Sequence, residues 1–330
     1  MTSNTVSSVL SPNWLEHRQI PLYLLALLVG ACIGLVFPSA GAGIEAFINP
    51  VLMLLLYATF LSIPLTRLGR VLRDGRFLGG LLVLNFVFVP IVVYALSRFV
   101  TDHPALLLGV LLVLLTPCID YVIVFSGLAG AAHERLLAAA PLLMLAQMLL
   151  LPVDLGLFVG HELVEVIDAQ PFINALFFLI VIPLALSGVT QILAARSRLA
   201  QGTIRLFDAS MVPLVMVTLA VVVASQIDGV RAELDALLRV IPIYLAFLII
   251  MAPLGMLTGR MFGQGPAATR ATVFSGATRN SLVVLPLALA LPDSFALVPV
   301  VVVTQTLIEL VGMVLYVRFI PRMIPGQPDT

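Results

Sequence analysis

Lysine is absent from the 330-residue chain; all 17 of its basic residues are arginine. A Walker A loop needs a lysine to reach the nucleotide phosphates, so ATP-driven transport by this chain alone is excluded. Charge of either sign is scarce, at 10% of residues, and 17 acids balance the bases to a formal net charge of zero. No basic face is therefore available to recruit nucleic acid. The two cysteines, Cys32 and Cys118, are too few for a disulfide framework or a zinc site built on several thiolates. Nothing in the sequence calls for a cofactor. What abounds is apolar surface, with 61% hydrophobic residues and a mean hydropathy of +1.15. A soluble domain is about half apolar and about a quarter charged, so the solvent of most of this chain is a lipid bilayer.

Crossing roughly 30 Å of hydrocarbon takes about 20 apolar residues at about 1.5 Å rise each. Charge-poor stretches of that order recur at 20–37, 48–65, 77–99, 105–129 and 135–158, then at 172–195, 209–226, 238–258, 269–291 and 296–319. The expected fold class is an all-α polytopic membrane protein of ten helices. The first run is longer than the roughly 7–15-residue core of a signal peptide, which favours a span over a cleaved leader. Alternate loops differ in charge. One set carries Arg67, Arg70, Arg73 and Arg76, then Arg135, then Arg196, Arg198 and Arg205, then Arg260 and Arg270, with Arg18, Arg318 and Arg322 at the ends. The other set is mostly acidic, with Glu45, Asp102, Glu162, Glu165, Asp168, Asp228, Glu233, Asp235 and Asp293 against Arg98, Arg231 and Arg239. The positive-inside rule puts the arginine loops and both termini in the cytoplasm. The lysine-free, arginine-only basic set suggests a GC-rich bacterial genome, and the expected location is a bacterial plasma (inner) membrane.

The polar, acidic stretch 161–170 is nearly central. It divides the chain into a first five-helix repeat, 1–160, and a second, 171–330, joined by a periplasmic linker. An odd number of spans per half inverts the second half relative to the first. Inverted repeats are common in secondary transporters, whose sites lie near the midplane where interrupted helices meet. The matching interruptions fall in the fourth span, at Thr116-Pro117-Cys118, and in the ninth, at Ser275-Gly276-Ala277-Thr278. Pro117 removes a backbone donor and crowds the preceding turn, while Gly276 is expected to loosen the ninth span. Seven other in-span prolines, among them Pro90, Pro183 and Pro242, read as simple kinks. Only these two breaks carry clustered polar residues: Cys118 and Asp120 in one, Ser275, Thr278, Arg279, Asn280 and Ser281 in the other.

A charged residue at mid-membrane costs about 2.5–3.5 kcal/mol on insertion scales. Asp120, Asp154, Arg279 and Glu309 are the deep candidates, with Asp154 near the outer end of its span. An ion pair between Asp120 and Arg279 across the two breaks is expected, either functional or simply a lock between helices. Cys118 follows Pro117, a residue suited to the first turn of a new half-helix. That places the thiol at the positive end of a helix dipole, as a soft ligand facing a cavity; a small buried hydrophobe is the structural alternative. Glu309 lies about 13 residues into the last span with Gln305 on the same face, four positions away. A carboxylate at that depth suits a proton carrier, and a hydrogen bond to a neighbouring helix is the plainer role. Cys32 sits in Gly30-Ala31-Cys32-Ile33-Gly34, whose spacing reads as helix packing.

At these residues the chain resembles the bile acid:sodium symporter superfamily and, within it, Acr3-type arsenite permeases. The stretch Thr116-Pro117-Cys118-Ile119-Asp120-Tyr121-Val122-Ile123-Val124-Phe125-Ser126 is similar to the family's Ala-Pro-Cys segment. Leu307-Ile308-Glu309-Leu310 is similar to its Leu-Ile-Glu-Val stretch, and Ala277-Thr278-Arg279-Asn280-Ser281 to its asparagine-bearing break. The resemblance maps the functional cysteine on Cys118 and the functional glutamate on Glu309. It implies a panel of spans one, two, six and seven and a core of the other six (three to five and eight to ten), with discontinuous spans four and nine crossing in the core and alternating access between the two. Three positions depart from the pattern. Arg279 stands where an arsenite permease has a second asparagine, Asp120 where it has an uncharged residue, and Ser275 where the sodium-coupled branch has a glutamate. A fixed guanidinium could stand in for a bound cation.

The expected activity is secondary active efflux of arsenite. Cys118 would be a transient As(III) ligand, with Thr116, Pro117, Asp120, Arg279, Asn280, Ser281 and Glu309 around it. Protons would drive the cycle through Glu309 or Asp120. The alternative is sodium- or proton-coupled uptake of an organic anion anchored on Arg279. An enzyme is not expected: His161-Glu162-Leu163-Val164-Glu165 misses the His-Glu-x-x-His zinc motif, and no serine–histidine pair sits at membrane depth.

Overall fold

The computed structural model describes residues 18–62, 73–119, 121–159, 170, 174 and 176–326. The stretch 161–169, with its near-miss zinc motif, and Asp120 both lie outside them. The described residues form α1 (Gln19–Val36), α2 (Ile48–Leu61), α3 (Gly75–Val83), α4 (Val89–Ser97), α5 (Pro104–Leu114), α6 (Tyr121–Leu128), α7 (His133–Val159), α8 (Ile182–Ala194), α9 (Arg198–Ala232), α10 (Ile241–Met261), α11 (Pro266–Ala277), α12 (Ser281–Leu289) and α13 (Leu297–Met323), with short helical turns between them. No strand occurs among the described residues.

Seven helical runs among them are long and apolar enough to cross a membrane, and the chain is a multi-pass membrane protein. Large apolar side chains such as Leu28, Ile91, Leu149, Leu157, Ile192 and Ile249 are exposed on its outside, which suits hydrocarbon and not water. The three remaining expected spans are not single long α-helices. The fourth divides into α5 and α6 and the ninth into α11 and α12; in the sixth, the described part is a π-helical stretch, Leu176–Val181, followed by α8.

Several expected boundaries move. Helix α9 runs through 35 residues, so Arg198 and Arg205, counted above as loop charges, are helical. Pro90, Pro183 and Pro242 do not kink helix interiors; each occupies the first turn of its helix. There a missing N–H forfeits nothing. For Pro90 and Pro183 the preceding turn is π-helical, and its wider winding accommodates the proline ring.

The chain divides into two compact units, Met1–Ser62 with Phe178–Asp228 and Ile63–Phe177 with Gly229–Thr330. In the first, α1 lies against α9 through Gly30 and Gly34. A Cβ on Gly30 would stand 2.6 Å from the Ala220 carbonyl oxygen, and one on Gly34 would strike that of Ala224. Backbones this close are the use of small residues four apart in membrane helices. Cys32, between them, is exposed. Gly30→Val should therefore separate α1 from α9 and destabilise the protein by about 1–3 kcal/mol, whereas Cys32→Ser should leave it unchanged; thermal melting in detergent distinguishes the two. Across the same unit Tyr57 Oη lies 2.8 Å from Thr190 Oγ1, and Gln191 Nε2 donates to the Phe60 carbonyl at 3.1 Å.

The second unit holds both interrupted spans. In it α10 lies on α11, where a Cβ on Gly255 would come 2.7 Å from Val273 Cα and one on Gly259 would meet Thr269. Gly130 adopts φ +63° after α6, and the amides of Gly130 and Ala131 close that helix on Gly127 and Ser126, as a left-handed C-terminal cap requires. Arg270 then ties the ends together, donating to the carbonyls of Ala129, Gly130 and Ile324 at 2.8–3.1 Å. At another loop Arg239 donates to Asp102 at 2.6 Å, and that bond holds the Asp102 carboxyl below its ordinary range. Both side chains are exposed, so the pair is screened and adds little.

Candidate functional site

The backbone of an interrupted helix is expensive in hydrocarbon unless its freed groups find partners. Here the two breaks supply each other. Pro117 and Arg279 form an isolated antiparallel bridge. On either side of it Cys118 N–H donates to the Thr278 carbonyl at 3.2 Å and Asn280 N–H to the Thr116 carbonyl at 2.8 Å. Pro117, with no N–H to satisfy, suits the middle of that bridge. Thr116 Oγ1 turns back onto the carbonyls of Leu112 and Val113, and Thr278 Oγ1 onto that of Phe274. The chain then re-enters a helix at Ser281, where Asn280 Oδ1 accepts from Val283 N–H at 3.3 Å, an N-cap.

Two expectations change at this point. Cys118 does not open a half-helix: it is not helical, and its amide is held by the Thr278 carbonyl. The ninth-span break is 278–280, and Ser275, Gly276 and Ala277 remain in α11. Gly276 does not loosen that helix. A Cβ there would stand 2.6 Å from Leu84 and 2.9 Å from Met251, so the glycine admits close packing against the third span.

Around the bridge the candidate residues are buried: Thr116, Cys118, Arg279, Asn280, Ser281 and Glu309 are each exposed by 2% or less. Glu309 occupies the middle of α13 and accepts three hydrogen bonds. Tyr121 Oη donates to its Oε1 at 2.8 Å, Arg279 backbone N–H to its Oε2 at 2.8 Å, and Gln305 Nε2 to the same oxygen. Tyr121 Oη also lies 3.2 Å from the Arg279 carbonyl. The carboxylate thus clasps the second break and, through Tyr121, the helix that follows the first.

The Arg279 guanidinium turns the other way. Nη1 donates to the Leu114 carbonyl at 3.3 Å; Nη2 is shared among Asn85 Oδ1, Ser275 O and Gly276 O at 2.9, 2.7 and 2.6 Å. Its Cζ lies 5.4 Å from the centre of the Phe247 ring, within cation–π range. The expected partner Asp120 is outside the described residues. Three buried polar atoms of this neighbourhood have no hydrogen-bond partner among the described residues: Arg279 Nε, Asn280 Nδ2 and Gln305 Oε1. Buried polar groups are rarely left so. No group of three or more histidine, cysteine or acidic side chains able to hold a metal occurs among the described residues.

Sequence reasoning passed over Asn85, Tyr121 and Phe247 as working residues. Asn85 had a signal, as the sole amide in the apolar run 77–99. Tyr121 and Phe247 had none, since aromatic residues are ordinary in apolar helices.

An all-helical, multi-pass protein with two interrupted helices paired over a buried thiol, carboxylate and guanidinium has the make of a membrane transporter. The family model described as Sodium Bile acid symporter family matches residues 49–233, and the chain belongs to that family. Its members are membrane transporters. The matched region takes in the first break, with Cys118, and stops short of Arg279 and Glu309. No curated protein matches the chain.

Proposed function

We propose that this chain exports arsenite, or a trivalent metalloid hydroxide like it, by alternating access driven by the proton gradient. The observation that carries the reading is the company of Cys118: a buried thiol on the paired breaks, in the neighbourhood that leaves Asn280 Nδ2 and Gln305 Oε1 without partners among the described residues. Arsenite is a small neutral trihydroxide. Its arsenic exchanges one hydroxide for the Cys118 sulfur, forming an As–S bond while the thiol proton leaves with the hydroxide as water; no oxidation state changes. One sulfur with oxygen neighbours permits release, whereas three thiolates would hold the metalloid too tightly to transport.

Glu309 is the proton carrier in this reading, with Asp120 the second candidate. Protonation converts an oxygen that accepts into one that donates, which reverses or breaks at least one of the bonds from Tyr121, Arg279 or Gln305 and so alters the clasp on the breaks. The two five-helix halves, 1–160 and 171–330, invert about the linker. The six-span core moves against the four-span panel, in a bacterial inner membrane with both termini cytoplasmic. Uptake of an organic anion is less well served, because both terminal nitrogens of Arg279 already donate to protein oxygens.

Everted membrane vesicles test the proposal directly. Arsenite should accumulate when an inward-acid gradient is imposed, stop when a protonophore collapses it, and be indifferent to sodium. Accumulation of an organic anion with no response to arsenite would overturn it.

A further inference from the structure

Arg279 places its guanidinium where two helices end. The last carbonyls of α5 and α11 have no intrahelical partners, and each macrodipole turns its negative end toward them. Leu114 O comes from α5; Ser275 O and Gly276 O come from α11. The fourth acceptor, Asn85 Oδ1, is aimed by its own amide, which donates to Leu81 O and Ser275 Oγ, both at 3.0 Å. Every one of these four ligands, among the described residues, is a neutral carbonyl or amide oxygen. Such oxygens can replace the hydration shell of a bare monovalent cation, and they offer an anion nothing. The surroundings are wholly buried.

We infer that Arg279 is a resident cation: its guanidinium fills an oxygen-lined cation site, so this carrier works with no dissociable monovalent ion there, and removing the side chain opens a site for sodium. The inference does not rest on the metalloid reading, since it concerns the ion and not the solute. It explains how a member of a sodium symporter family can carry a permanent charge at the centre of its paired breaks. Electroneutrality adds to it. The Glu309 carboxylate is bonded to the backbone N–H of the same residue, so loss of the guanidinium removes a positive charge from the buried neighbourhood of an anion, which strengthens the attraction for a small cation.

The test is thermal melting of the full-length protein in nanodiscs, in sodium chloride and in choline chloride of equal ionic strength. Wild type should melt at the same temperature in both. Arg279→Ala should melt several degrees higher in sodium, because a ligand that binds only the folded state stabilises it, and adding Asn85→Ala should erase that increment. Equal melting of Arg279→Ala in the two salts overturns the inference, as does a sodium increment in wild type that Asn85→Ala removes. Should Arg279→Ala not fold in choline, it is expressed and solubilised with sodium or with free guanidinium. Recovery in either supports a vacated cation site; the same loss in every salt refutes it.

Discussion

Cys118→Ser is expected to reduce metalloid transport to the level of vesicles lacking the protein, while the variant reaches the membrane in normal amount and melts as the parent does. The thiol and the hydroxyl are close in size, and the Cys118 N–H bonded to Thr278 O is kept in the variant. The substitution therefore preserves the backbone pairing of the breaks and replaces the soft atom. Oxygen in its place offers arsenic nothing that water does not. Cys32→Ser is the matched control, since that thiol is exposed beside a helix-packing face of the other unit. Transport retained by Cys118→Ser would take sulfur out of the mechanism, whatever the substrate.

The second large effect concerns Glu309, where two substitutions separate structure from coupling. Glu309→Ala strands two buried donors, the Arg279 N–H and Gln305 Nε2, and leaves Tyr121 Oη to the Arg279 carbonyl. Each unpaired group costs about 1–3 kcal/mol, so the variant is expected to lose several kcal/mol and to yield little folded protein. Glu309→Gln keeps the side-chain shape and one carbonyl oxygen, and should fold at reduced stability. It cannot carry a proton. Exchange of labelled arsenite across vesicles without a gradient should persist in Glu309→Gln, while uphill accumulation driven by a proton gradient disappears. Unchanged gradient-driven accumulation would move the proton to another group, and Asp120→Asn would be the next variant to measure.

The paired breaks explain why both positions are so sensitive. Two half-helix junctions in hydrocarbon are stable only because Cys118 and Asn280 each donate to the opposite break, and because Glu309 and Arg279 hold them from opposite sides. One side chain contributes a carboxylate that takes in N–H and O–H groups, the other a guanidinium that takes in carbonyls. Any solute admitted beside the bridge meets groups already arranged, and any proton that loosens Glu309 acts on the same junction. In the proposed mechanism binding and coupling share one structural element, as exchange between two states requires.

Much of this was legible from residue types. Run length and charge alternation revealed a multi-pass protein, because about 20 apolar residues are needed to span the bilayer and hydrocarbon tolerates few charges. Both interruptions were visible as polar clusters inside apolar runs, although the second lies three residues later than its glycine suggested. The misplacement has a simple cause: Gly276 is required by the side chains of Leu84 and Met251, not by the break. The Gly30–Gly34 packing face was readable for the same reason that its partner helix was not. A small-residue spacing tells that a backbone approaches and never which one.

Sequence alone determined that the chain lives in a bilayer, that two of its helices are interrupted and that Cys118, Arg279 and Glu309 lie deep, since each follows from the energy of placing local groups in hydrocarbon. Tertiary structure alone decided their partners. Arg279 meets Asn85 across 194 positions and Tyr121 meets Glu309 across 188, distances over which no periodicity speaks. Among the described residues Arg279 meets the carbonyl dipoles of two helix ends, a resource that every sequence possesses and only a fold can aim.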